Sequence, residues 1–449
     1  MQIINQTKKE GHLNKSASWI KYLISMVALV AIVFFVAKCK DYTPPSNSGN
    51  NDSTCTAPTA WFAGQKVPPP DPNIEPTTNC DFHQISWHYF LWLTEAVDSG
   101  QLRFETLYSD ASINPNDKYP TKHILGGVQQ AESNAILVDQ NGRAVYTELL
   151  INDVYRDWVI ANHLYIPDSL YNFPDTSDFP IGSFSLKAGW KIVGPNDDVS
   201  KYYTTTADIE LLSNVNGQVV IPQNPKIQRN VKVALVSFHI AVVVKGHPEF
   251  IWATFENVNN APDFKENQKM NEPVSDKDFM FYKANTVASD CNVNNTPIIK
   301  LNEATQILTP VTEVARQFIH GGGTTQNQEN IVTLNESIHK QLPANSMWQN
   351  YEEVGAVWFN TTKGVLVPNW TPNSDTLQRI TGSTKLSNST IETFTQNIVS
   401  QNECFSCHNT TALTSTPDGI RILPGKNAST SHILLKNYVG GYTLIQRSK

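Results

Sequence analysis

The 449-residue sequence predicts an α+β fold: a β-rich body, sandwich-like or built on a mixed sheet, with peripheral helices and a distinct C-terminal segment. Three observations carry this. The run from Val231 to Val244, with Val233, Leu235, Phe238, Ile240 and Val242, is almost wholly apolar and β-branched. After the Gly246-His247-Pro248 break comes Phe250-Ile251-Trp252-Ala253-Thr254-Phe255. Two such neighbouring runs read as strands buried on both faces at the centre of a sheet. Over residues 184–192, Phe184, Leu186, Ala188, Trp190 and Ile192 alternate with Ser185, Lys187, Gly189 and Lys191, the period of a strand with one wet face. Finally, Ala135-Ile136-Leu137-Val138 and Ala144 to Leu149 flank Asn141-Gly142, a strong short-range hairpin signal.

Taken in order, residues 1–38 carry Lys8, Lys9, Lys15 and Lys21 ahead of an apolar run from Tyr22 to Ala37, which reads as an export segment. Cys39 at its end suggests a lipoprotein signal with acylation at Cys39. The alternative is an uncleaved anchor over 22–37, with Lys21 and Lys38 snorkelling at its ends. In both cases the body lies in the cell envelope, on the outer side of the cytoplasmic membrane or on the outer membrane, because the basic flank stays inside. Residues 39–79, rich in Pro, Asn, Ser and Thr, are expected to form a disordered tether.

The body is expected over 80–400. Asp81 is the expected cap of a first helix whose stripe is Phe82, Ile85, Tyr89, Trp92, Leu93 and Ala96. Its His83 and His88 read as polar partners at the margin of that stripe rather than iron ligands. A helix with Leu150, Val154, Trp158 and Ala161 follows the hairpin, and residues 257–300 read as loop. Further helices are expected over 312–319 and 329–342, and strands over 354–359, 364–367 and 377–380. Asn388 is the expected cap of a last short helix over 389–399. His320-Gly321-Gly322-Gly323 reads as a loop, since no G-x-S-x-G accompanies it.

That last helix delivers the chain to Cys404-Phe405-Ser406-Cys407-His408. The C-x-x-C-H spacing signals covalent attachment of one c-type haem, with thioethers on Cys404 and Cys407 and His408 as the proximal iron ligand. A redox disulfide does not need the histidine, and a zinc site needs a fourth ligand nearby. The export segment and the pentapeptide point independently to the same compartment. The remaining Cys55, Cys80 and Cys291 allow one disulfide with one thiol spare, the pair left open. Residues 401–449 are expected to pack on the body, because only 41 residues follow His408 and none is a methionine. A first candidate for the sixth iron position is His239, whose desolvated imidazole in the core strand needs a strong partner, iron or a carbonyl, the carbonyl being the ordinary partner of a core histidine. Met347 is a weaker candidate, His432 another, and an open site a further alternative.

The formal charge is −7, and −11 once residues 1–38 are set aside, which argues against nucleic acid as a partner. There is no Walker loop, Rossmann fingerprint or H-E-x-x-H, so haem is the one cofactor implied and no catalytic residue is assigned.

Several stretches, in one order along the chain, carry a resemblance. They are Ser86 to Leu93, Leu186 to Lys191, Phe238-His239-Ile240 with His247 to Glu256, Asn388 to Phe394, and Cys404 to His408. With these the chain resembles a family of large, exported, single-haem cytochrome-c-type proteins of bacteria, departing at the acyl-type signal and at Gly189, where the family pattern more often has alanine. The resemblance implies haem binding and electron transfer with a redox partner protein or a small-molecule donor or acceptor. A haem enzyme, peroxidase-like or acting on another small molecule, and a haem-based binding or sensing module are the alternatives.

Overall fold

The computed structural model describes residues 54–98, 100–115, 124–130, 135–398, 403–413 and 421–447. The export segment, Cys39 and the expected tether as far as residue 53 lie outside the described residues.

Nine strands form one sheet: β1 (Tyr108–Ser109), β2 (Ile124–Leu125), β3 (Val145–Ile151), β4 (Phe184–Ile192), β5 (Thr204–Glu210), β6 (Ile227–Val244), β7 (His247–Asn257), β8 (Tyr351–Phe359) and β9 (Ile380–Gly382). The order β1-β3-β4-β6-β7-β8-β9 is antiparallel throughout. β5 joins the N-terminal half of β6, and β2 adds a short parallel pairing to β5. The body is thus built on one large, mainly antiparallel sheet, with two separate two-stranded ribbons (Ser213–Val215 with Gln218–Val220, and Lys300–Asn302 with Ile307–Thr309), within the expected β-rich α+β class.

Its two faces are covered differently. On one, Leu186, Trp190, Phe238, Ile240 and Phe255 join Trp87 and Phe90 of α1 (Asn79–Leu93) in the main core. The Phe90 and Phe255 rings stack with centroids 4.4 Å apart. On the other lie Lys187, His239 and Thr254, in register across β4, β6 and β7. The alternation in 184–192 predicts a wet face here, and the structure corrects this: Lys191 on that face is fully buried against Asp139, 2.7 Å away, and Asp197. Alternation reports the polarity of a strand face, not what covers it. The cover includes α2 (Asp153–Ala161), α3 (Pro167–Asn172) and α5 (His432–Arg447), whereas α4 (Thr325–Gln341) packs beside α1 on the main core.

The tether expectation also needs correction over 54–79. Cys55 is buried and disulfide-bonded to Cys80, and Trp61 is buried with its ring stacked on His88 at 4.6 Å. The Ala57 N–H donates to Ser337 Oγ of α4 at 3.0 Å. The described chain is therefore part of the body from residue 54, pinned by a cross-link that a Pro-rich composition conceals. The α1 cap is Thr78, not Asp81. Asp81 sits at the third helical position and accepts from the backbone N–H groups of Thr77 and Thr78, completing a capping box.

Other expectations shift with tertiary demand. Residues 312–318 are not helical, because Arg316 is drawn into a buried pairing with Glu256 (2.8 Å) and a second, partly exposed one with Asp263. Residues 364–367 are loop, and β9 begins only at Ile380. After Asn388 only a 3₁₀ turn forms, Thr393–Asn397, since the intervening polar side chains are held by other parts of the fold.

Candidate functional site

Between the polar sheet face and the C-terminal segment lies a cavity of about 1210 Å³. Ligand pockets are ordinarily about 300–1,000 Å³, so this one has room for a cofactor-sized molecule. Lys187, His239 and Trp252 line it from the sheet, and Cys404, Cys407 and His408 from the C-terminal segment.

The pentapeptide folds as a tight turn. Glu403 caps the 3₁₀ helix Cys404–Ser406, with Oε2 accepting from the Phe405 N–H at 2.7 Å and Oε1 from the Ser406 hydroxyl. The His408 N–H then donates to the Cys404 carbonyl at 2.8 Å. Phe405, fully buried, inserts between Phe359 and Trp370, at ring-centroid distances of 4.7 and 5.7 Å. That anchor holds the turn while both thiols line the cavity. Neither Cys404 nor Cys407 is in a disulfide. Burial, reinforced by the carboxylates of Glu392 and Glu403, pushes the Cys404 thiol well above its ordinary value. A thiol held protonated in this way is the opposite of a thiolate nucleophile. Among the described residues no three His, Cys, Asp or Glu side chains are grouped to hold a metal ion by themselves.

His408 is held on three sides. Its ring lies between Trp252, 4.1 Å away, and His432, 3.9 Å away and nearly parallel. Nδ1 is 2.9 Å from the Thr430 carbonyl. A carbonyl can only accept, so Nδ1 carries the proton and Nε2 keeps its lone pair; Nε2 has no hydrogen bond among the described residues. Burial first, and then His432, drives the imidazole well below its ordinary pKa, preserving the neutral form that binds a metal. Two thiols and one unprotonated ring nitrogen on the wall of a large cavity fit the covalently bound haem that the pentapeptide implies.

The facing polar wall is built by strand register and by the Asn388–Glu392 segment. His239 Nδ1 is 2.8 Å from Thr254 Oγ1. Its Nε2 lies 3.1 Å from Glu392 Oε1, an ion-pair distance, but off the line of a hydrogen bond, so this buried nitrogen has no hydrogen-bond partner. Geometry of that kind is an electrostatic contact that a ligand can displace. Burial raises the Glu392 pKa, but His239, Lys187 and the Asn388 N–H outweigh it and hold the carboxyl below its ordinary value. Glu392 is placed by a polar staple: the Ser389 N–H and hydroxyl donate to Glu256, and the Thr390 hydroxyl lies 2.8 Å from Ser237 Oγ.

His239 and the pentapeptide thus line one cavity, whereas Met347 does not line it and His432 is stacked on His408. Met347 lies beside Trp348 among the residues packed on the main core, across the sheet from the cavity. His432 is stacked on His408 itself and its Nε2 donates to the Cys407 carbonyl at 3.0 Å, so it sits on the same side. His83 is fully buried between Glu353 (2.8 Å) and Asn327 (3.0 Å), and His88 bonds the Pro68 carbonyl; neither lines the cavity. The sequence reading did not single out Lys187, Trp252, Glu392 or Thr430 as site residues. The available signal was register: a lysine and a histidine on the polar positions of adjacent strands.

The chain matches no family model, no curated protein and no solved structure.

Proposed function

We propose that the protein is a c-type haem protein of the cell envelope that takes part in electron transfer. One haem would be bound covalently to Cys404 and Cys407 with His408 as axial ligand, and the resemblance to exported single-haem cytochromes fits this reading. The observation that carries it is the disposition of His408: Nδ1–H on the Thr430 carbonyl, Nε2 without a hydrogen bond among the described residues, and two thiols outside any disulfide beside it on the cavity wall. When bound, haem supplies a one-electron couple. The chain's contribution is to fix the imidazole tautomer, stack Trp252 on its ring, anchor the turn through Phe405, and present His239 as the candidate sixth ligand. Its redox partner is a protein or a small-molecule donor or acceptor, and the membrane attachment is an acyl chain at Cys39 or the segment 22–37.

A second reading, a haem enzyme or a sensing module, is favoured by one observation. The facing wall carries Lys187, His239 and Glu392, more charge than a bare electron carrier needs.

Haem staining after denaturation decides the first claim: stain is expected in the mature protein and lost in Cys404→Ser/Cys407→Ser. An absorption spectrum of the ferrous protein with carbon monoxide then separates the readings. A low-spin spectrum unmoved by the gas, and lost in His239→Ala, supports the carrier; prompt gas binding shifts the assignment to the enzyme or sensor. Mass spectrometry of the mature amino terminus tests acylation at Cys39.

A further inference from the structure

We infer that Lys187 is a carboxylate-binding residue of this cavity. Lys187 lies on β4, in register with His239 of β6, and lines the cavity half-buried. It makes no hydrogen bond or ion pair among the described residues. Its one charged influence of opposite sign is Glu392, which does not come within ion-pair contact of it. Glu392 is already committed: Oε1 lies 3.1 Å from His239 Nε2 and Oε2 accepts the Asn388 N–H at 2.9 Å. A half-buried ammonium with no contacting partner in the protein is free to meet an anion that enters the cavity.

The same strand supplies the comparison. Lys191, four residues on and on the same face, is fully buried and touches two carboxylates, Asp139 and Asp197, both from this chain. At Lys187 the cavity stands where such a carboxylate would be. The other lysine on the lining, Lys436, is largely exposed and already paired with Asp110 at 3.3 Å. Lys187 is therefore the cation of this wall left available to a carboxylate in the cavity.

Two sources share this chemistry: a propionate group of bound haem, and a free carboxylate ligand. The first rests on the haem reading above; the second does not. ¹³C-labelled acetate is the probe, its binding followed by line broadening with the full mature chain, both as purified and as the haem-free Cys404→Ser/Cys407→Ser variant. Saturable binding to the haem-free chain is expected, weakened about tenfold or more in Lys187→Met and retained in Lys187→Arg, as the loss of a charge-assisted contact requires. Acetate binding that disappears in the haem-carrying protein identifies a propionate as the occupant, and binding that persists identifies a free carboxylate. Equal acetate binding with and without Lys187, or none to the haem-free chain, overturns the inference. Haem staining of the same samples reports separately on the haem reading, so the two fail independently.

Discussion

At the scale of single residues, position and partner decide chemistry more than residue type. Lys187 and Lys191 share a strand and a face, yet one lines a cavity and the other is sealed between Asp139 and Asp197. Removing the sealed cation leaves two buried carboxylates uncompensated, so Lys191→Met should destabilise the protein by about 3–5 kcal/mol. The denaturant midpoint measures this, and a change below about 1 kcal/mol would show that water reaches the pair. The histidines divide likewise: His408 is stacked and bonded at Nδ1, while His83 is spent on Glu353 and Asn327. The pentapeptide was legible because its spacing is local in sequence. Glu392 and Thr430 were not, because their roles arise only when distant segments meet on one wall.

Elements were legible where the pattern was internal to them. The β4 alternation and the two central strands follow from side-chain period and β-branched content, and they form as expected. Failures came where side chains answer to neighbours: Arg316 pulls its segment out of a helix, and the Asn388 segment spends its polar groups on Glu256 and Ser237. Gly440-Gly441 masked α5. The first helix offers a clean test of local chemistry. Burial raises the Asp81 pKa, but the backbone and hydroxyl donors of Thr77 and Thr78 outweigh it and set it below the ordinary value. A depressed carboxyl stabilises the fold above its unfolded pKa, and this contribution is lost as pH falls through the folded one. Asp81→Asn should therefore cost about 0.5–1 kcal/mol at pH 7 and nothing measurable in strong acid, as thermal melts across pH will show. Beside it, the Cys55–Cys80 bond closes a 25-residue separation. Cys55→Ser/Cys80→Ser should lower stability by about 3–4 kcal/mol on the chain-entropy account, and a loss confined to the 54–79 segment would appear as local hydrogen exchange without a shift of the global midpoint.

At the scale of the whole molecule, the question is whether the C-terminal segment is a small domain of its own or a layer of the body. The contacts favour a layer. Phe405 belongs to a cluster with Val357 and Phe359 of β8, and Leu434 and Tyr438 pack with Tyr155 of α2. Lys426 Nζ donates to the Phe173 carbonyl and lies 2.6 Å from Asp175 Oδ1, while Nδ2 of Asn427 donates to Asp178 at 2.7 Å. The sheet supplies part of the cavity wall, Trp252 included, so His408 cannot keep its stacking on Trp252 if the segment leaves. A segment this dependent on foreign partners buries too little of its own apolar surface to stand alone. Limited proteolysis should therefore yield no stable fragment made only of residues after about 385. A nick within the segment should leave its pieces bound to the body on a sizing column, and any haem stain should run at the size of the body until it denatures. A stable, haem-bearing C-terminal fragment would show instead that the pentapeptide carries its own fold, and that the sheet merely happens to lie against it.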